Sequence, residues 1–182
     1  IDAGEFGKIT TIESDFSFAA ERSPTHRLFD PTKGGGSVLD VGIYPITLAW
    51  WFVGAPMSWT TSGVIGPTGV DEDATVEMSW GDDRSAHLTC GSTHEGSTAS
   101  TITCESATIF IPTRSHASNV AEIRTSSGTE RLVCDESGLH HQVREVHRCI
   151  ANGLTESPRM SHRDSREISA FMDSVLKSIH RR

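Results

Sequence analysis

The chain is 182 residues long with 24 acidic against 16 basic side chains, and its formal charge of -8 speaks against a phosphate backbone as partner. Its 36% apolar residues and 16 glycines together make up about 45% of the chain, the share of an ordinary globular domain, and no run of about 20 apolar residues marks a membrane span. Neither nucleic acid nor membrane is an expected partner, and the length suits a single domain over residues 1–182 built on one core.

Residues 1–8 carry neither an initiator methionine nor a basic-then-apolar leader, so the sequence reads as a portion of a longer polypeptide. Cys90, Cys104, Cys134 and Cys149 stand far apart with no C-x-x-C pair, which argues against zinc and against a disulfide framework. With no N-x-S/T acceptor either, a cytoplasmic setting is expected.

In chain order, residues 7–19 are rich in Thr, Ile and Phe, with Phe16 and Phe18 in alternation, and predict an opening strand. Residues 22–36 hold two prolines and the run Gly34, Gly35, Gly36, which is loop composition. From Ser37 to Phe52 apolar residues are dense, and Gly54 and Pro56 stop the run, so a helix is expected. Pro45 conflicts with it. An interior proline loses a backbone bond and clashes with the carbonyl four residues back, so the helix should kink near Val41 or start afresh around Pro45.

Beyond Pro56 the apolar period becomes two: Met57, Trp59 and Thr61, then Val76, Met78 and Trp80, then Ala86, Leu88 and Cys90, with Gly81, Asp82 and Asp83 as a hairpin turn. Further strands at 98–104, 108–111, 120–125 and 131–134 bring the count to about eight. Leu139, Val143, Val146 and Ile150 then form one apolar stripe that Asn152 and Gly153 end. A last helix is expected to be capped by Asp164, with Ile168, Phe171, Val175 and Ile179 as its stripe. This order predicts an α+β fold, an open, largely antiparallel sheet of about eight strands with helices on one face. The other face would be solvated or covered by another subunit, and Trp59, Met78 or Trp80 turned outward would favour a subunit.

Chemistry is most concentrated in GGGSVLDVGIY, residues 34–44, where Asp40 and Tyr44 stand four apart and share one helical face. A phenol, with an ordinary pKa of about 10, exchanges protons at neutral pH only inside a network of charged groups. Nothing in the spacing brings Lys33 or Arg27 to the pair. The alternative is structural, with Asp40 capping a helix start and Tyr44 a core residue whose hydroxyl is bonded. His140, His141 and His147, beside Arg144 and Glu145, lack the H-E-x-x-H spacing and a completing carboxylate, so no metal site is expected. Gly63, Gly66 and Gly69 are followed by acidic residues, not by a helix whose N-terminus could hold an anion, and read as a strand connection. There is no G-x-S-x-G, and no cysteine stands in a basic setting.

The run Arg27-Leu28-Phe29-Asp30-Pro31, then GGGSVLDVGIYP, then Leu48-Ala49-Trp50-Trp51-Phe52-Val53-Gly54, resembles the C-terminal domain of the Gfo/Idh/MocA oxidoreductases, as do GEFGKI at 4–9 and EVHRCIANG at 145–153. The resemblance implies a sheet domain docked beside a dinucleotide-binding half that holds NAD or NADP. Neither G-x-G-x-x-G nor the family's lysine-bearing E-K-P is present here. It further implies Tyr44 as acid/base, Asp40 as the carboxylate that holds substrate, Arg27 as a substrate contact, and Gly35 and Gly36 as points of close backbone approach. The expected protein is a sugar or diol dehydrogenase, homodimeric through its open sheet face and inactive without the cofactor half. The rival is a non-catalytic sheet domain that binds a ligand or a protein.

Overall fold

A computed structural model describes residues 4–23, 25–134 and 138–181. Its strands are β1 (Ile9–Ser17), β2 (Ser58–Ile65), β3 (Asp71–Ser79), β4 (Ser85–Gly91), β5 (Ser100–Cys104), β6 (Ala107–Ile111), β7 (Val120–Thr125) and β8 (Gly128–Val133). They form one eight-stranded sheet in the order β2-β3-β4-β1-β5-β6-β7-β8. β1 runs parallel to β4, and the other neighbours are antiparallel. The α+β architecture read from the sequence is the one observed. The β3–β4 turn uses Gly81 and Asp83 in left-handed conformations, as hairpin chemistry requires.

The helices are α1 (Ile43–Val53), α2 (His140–Ala151) and α3 (His162–Ile179). A π-helical turn, Val38–Gly42, runs directly into α1. It widens the backbone where the Pro45 ring would otherwise meet the carbonyl four residues back, so the helix changes form and does not break. The stretch Pro31–Val53, of mean hydropathy 1.3, has the length and apolar character of a membrane-crossing helix, yet its Val38, Val41, Ile46, Ala49 and Trp50 are buried in the core. α1 lies over β1 and β4, and α3 over β2 and β3. Between them sit Ile12, Val76, Met78, Leu88, Phe171 and Val175. Trp50 and Trp59 both meet the Phe171 ring, at 5.7 and 5.3 Å.

Three expectations need correction. Met78 and Trp80 are 2% and 5% exposed and point to the helices with Trp59, because the odd set, Asp73, Thr75 and Glu77, is the one that faces outward. The cap of α3 is Ser161, three residues before Asp164: Ser161 Oγ accepts the Asp164 N–H, and the Asp164 carboxylate accepts the Ser161 N–H, each at 3.1 Å. The α2 stripe does not pack down: Leu139, Val143, Val146 and Ile150 are exposed, and only Cys149 on that helix is buried. All four cysteines are free thiols, with Cys134 exposed and the others buried.

Candidate functional site

The helix entry is tied to the sheet by two adjacent residues of β3. The Asp71 carboxylate, 2% exposed, accepts the Val38 N–H at 2.7 Å, and the Glu72 carbonyl accepts from Ser37 Oγ. Burial pushes the Asp71 carboxyl above its ordinary range, against the pull of the backbone N–H groups of Val38, Asp71 and Ser37. Gly36 is buried against this carboxylate; a Cβ there would lie 2.1 Å from Asp71 Oδ1. Gly35 faces the carbonyls of Arg27, Leu28 and Asp30. The close backbone approach expected of these glycines is made here to the protein's own groups.

This staple sets the position of the two residues that the sequence singled out. Asp40 accepts a 2.6 Å ion-paired hydrogen bond from Arg27 Nη2, so the cation that spacing did not supply is delivered by the preceding loop. Lys33 is engaged elsewhere, with Asp30 at 3.0 Å and the Thr25 carbonyl at 3.1 Å. Tyr44 is 47% exposed, not a core residue. Its ring stands 5.0 Å from Phe16 and 5.1 Å from His116. No hydrogen bond joins Asp40 to Tyr44 among the described residues.

Tyr44 lines a cavity of about 460 Å³ between α1, strands β1, β5 and β6, and Gln142 of α2. Its walls include Phe16, Leu48, Trp51, Ile111 and His116. Phe16 and His116 stack with ring centres 4.3 Å apart and planes 12° apart. Partial burial and the nearby Arg114 charge hold the His116 imidazole below its ordinary value, so it is neutral at pH 7. On the same wall three hydroxyls form a chain, Ser14 Oγ to Ser100 Oγ at 2.8 Å and Ser100 Oγ to Ser115 Oγ at 2.9 Å. Sequence pattern alone did not find Phe16, His116 or the serines as site residues. His116 and Ser115 lie in a non-periodic connection, and Ser14 and Ser100 look like ordinary strand serines until the β1–β5 register brings them opposite each other.

The rings of His140 and His141 have centres 4.1 Å apart with planes tilted by 41°, and His147 lies exposed on α2. Glycines 63, 66 and 69 belong to the end of β2 and the turn into β3, so they frame no helix N-terminus.

Residues 1–110 match the family model of the GFO/IDH/MocA C-terminal domain. The chain is 30% identical to a trans-1,2-dihydrobenzene-1,2-diol dehydrogenase from Danio rerio, the match covering 95% of this chain and 54% of that protein. Among solved structures it is similar to KijD10, a 3-ketoreductase from Actinomadura kijaniata in complex with NADP and TDP-benzene (TM-score 0.80, 20% identity, 97% of this chain and 56% of that one). It is also similar to an aldose-aldose oxidoreductase from Caulobacter crescentus complexed with glycerol (TM-score 0.83, 15% identity, 99% and 56%). The chain thus spans about half the length of the relatives it matches. With the family model covering more than half of its residues, the chain belongs to the GFO/IDH/MocA C-terminal domain family.

Proposed function

We propose that this chain is the substrate-binding domain of an NAD(P)-dependent oxidoreductase acting on a sugar or a diol, and that its share of the reaction is the proton. Tyr44 takes the proton of the reacting hydroxyl or returns it, and Asp40, oriented by Arg27, holds substrate beside it. The observation that carries this reading is an exposed phenol on a 460 Å³ cavity, one helical turn from an arginine-held carboxylate. Arg27, half-exposed in its pair, has donors left for a substrate oxygen, and Gly35 and Gly36 serve by shaping the loop that presents it. The names of the relatives support the substrate class, one a diol dehydrogenase and another an aldose oxidoreductase, and the NADP complex supports a nicotinamide.

A bound nicotinamide supplies the redox change. We infer that NAD or NADP is bound mainly by a separate half of the protein, as the resemblance to the family implies, and this chain alone is expected to be inactive. Two copies are further inferred to pair through the open sheet face.

The test is Tyr44→Phe in the protein joined to its cofactor-binding half. Turnover should fall by roughly 100- to 10,000-fold, the loss typical of a missing acid/base. Unchanged turnover removes Tyr44 from the mechanism, and sugar binding without any turnover marks a non-catalytic binding module.

A further inference from the structure

The serine chain has a direction that bond counting reveals. Ser100 donates to Ser115, so its one proton is spent and the bond to Ser14 must be donated by Ser14. Ser115 Oγ then accepts from Ser100 and still holds its own proton, for which no acceptor occurs among the described residues. Ser14 and Ser100 are 6% and 2% exposed, so this chain is fixed inside the fold and polarises its last member. Ser115 opens on the cavity next to His116. The His116 ring lies flat on Phe16, and its nitrogens make no hydrogen bond among the described residues.

A neutral imidazole offers one donor and one acceptor. Ser115 adds a donor, and these polar atoms stand among Phe16, Tyr44, Leu48, Trp51 and Ile111, in a lining that also includes Asp15, Thr47 and Gln142. Such walls accept the face of a carbon ring. The polar atoms require that the ring carry oxygen at a position other than the one at Tyr44, since a bare ring would leave them desolvated and unpaired.

We propose that Ser115, polarised through Ser100 and Ser14, forms with His116 a second polar subsite that binds a non-reacting hydroxyl of a cyclic diol or polyol lying against Phe16 and Tyr44. This deepens the substrate class of the proposed function and rests on it, but the test reads binding and not turnover. It uses the 182-residue chain, with trans-cyclohexane-1,2-diol and cyclohexanol as probes, followed by nitrogen–proton NMR titration.

The diol should shift the Ser115 and His116 signals and bind about 5- to 10-fold more tightly than cyclohexanol, as one added hydrogen bond allows. Ser115→Ala should abolish that preference while leaving cyclohexanol affinity unchanged, which also shows that the variant is folded. Should Ser115→Ala unfold the chain, Ser115→Thr, which keeps the hydroxyl, should bind the diol with its preference intact. A preference that survives Ser115→Ala, or shifts of neither residue with either probe, overturns the subsite. Turnover indifferent to Tyr44→Phe would instead overturn the catalytic reading and leave these binding outcomes as they stand.

Discussion

At Gly36 two demands coincide. Its φ of 118° lies where side chains are rarely tolerated, and the space a Cβ would fill is held by the Asp71 carboxylate, which the Val38 N–H fixes in place. Gly34 has a φ of 67° but no atom within 4 Å of its absent Cβ. Gly34→Ala should therefore cost about 1 kcal/mol of unfolding free energy, from backbone conformation alone. Gly36→Ala should cost about 3 kcal/mol or more, since strain and overpacking add. Urea unfolding of both variants checks the contrast, and equal losses would deny Asp71 its rigid place. At this scale Asp40 and Tyr44 were legible because helical spacing is a local property. The Arg27 bond to Asp40 was not, because a loop with two 3-10 turns decides where that guanidinium arrives. His116 was least legible of all, because its contacts with Phe16 and Tyr44 join distant parts of the chain.

Among the elements, the helices divide by how they are held. α3 buries Ile168, Phe171, Met172, Val175 and Ile179, and its period gave it away in the sequence. α2 has an equally regular stripe that stays exposed, because periodicity reports an apolar face and not what covers it. What tethers α2 to the segment after it is polar. Glu145 accepts two bonds from Arg148, at 2.7 and 2.8 Å, and one from Ser157 at 2.6 Å. These donors, Arg148 foremost and then Ser157, hold the Glu145 carboxyl down to about 2. A carboxyl lowered on folding stabilises the fold above its ordinary value of 4.5 and loses that contribution as pH falls towards 2. Over that window the stability of the native chain should fall more steeply with acid than that of Glu145→Gln, followed by circular dichroism in urea at each pH. Equal slopes would mean that the tether is too solvated to matter. Ser161, missed as the cap of α3, teaches the same lesson: Ser-x-x-Asp and Asp-x-x-Glu both occur there, and only the bonded geometry chooses between them.

Across the whole molecule the two faces of the sheet differ in kind. The helix side carries the core under α1 and α3 and the cavity where their cover ends. Among the described residues no helix packs on the far side, and cross-strand register lines up Glu77, His87, Glu13 and Thr101 there, flanked by Thr11, Thr75, Thr89 and Thr103. Trp59, Met78 and Trp80, which turned outward would have favoured a partner, point the other way. What remains in favour of pairing is a broad, uncovered surface rich in threonine, whose methyl groups can pack while its hydroxyls and the Glu77–His87 pair, 2.6 Å apart, stay satisfied. An interface on a twofold axis meets itself, so one substitution at its centre is felt twice. Light scattering at tens of micromolar should give twice the mass of the 182-residue chain, and Thr101→Arg, which sets two like charges near the axis, should return it to the monomer mass. A native chain of monomer mass would overturn the pairing and leave the polar face to water, which its composition also permits. A dimer indifferent to Thr101→Arg would move the contact elsewhere, and the exposed α2 stripe would then be the surface to substitute next.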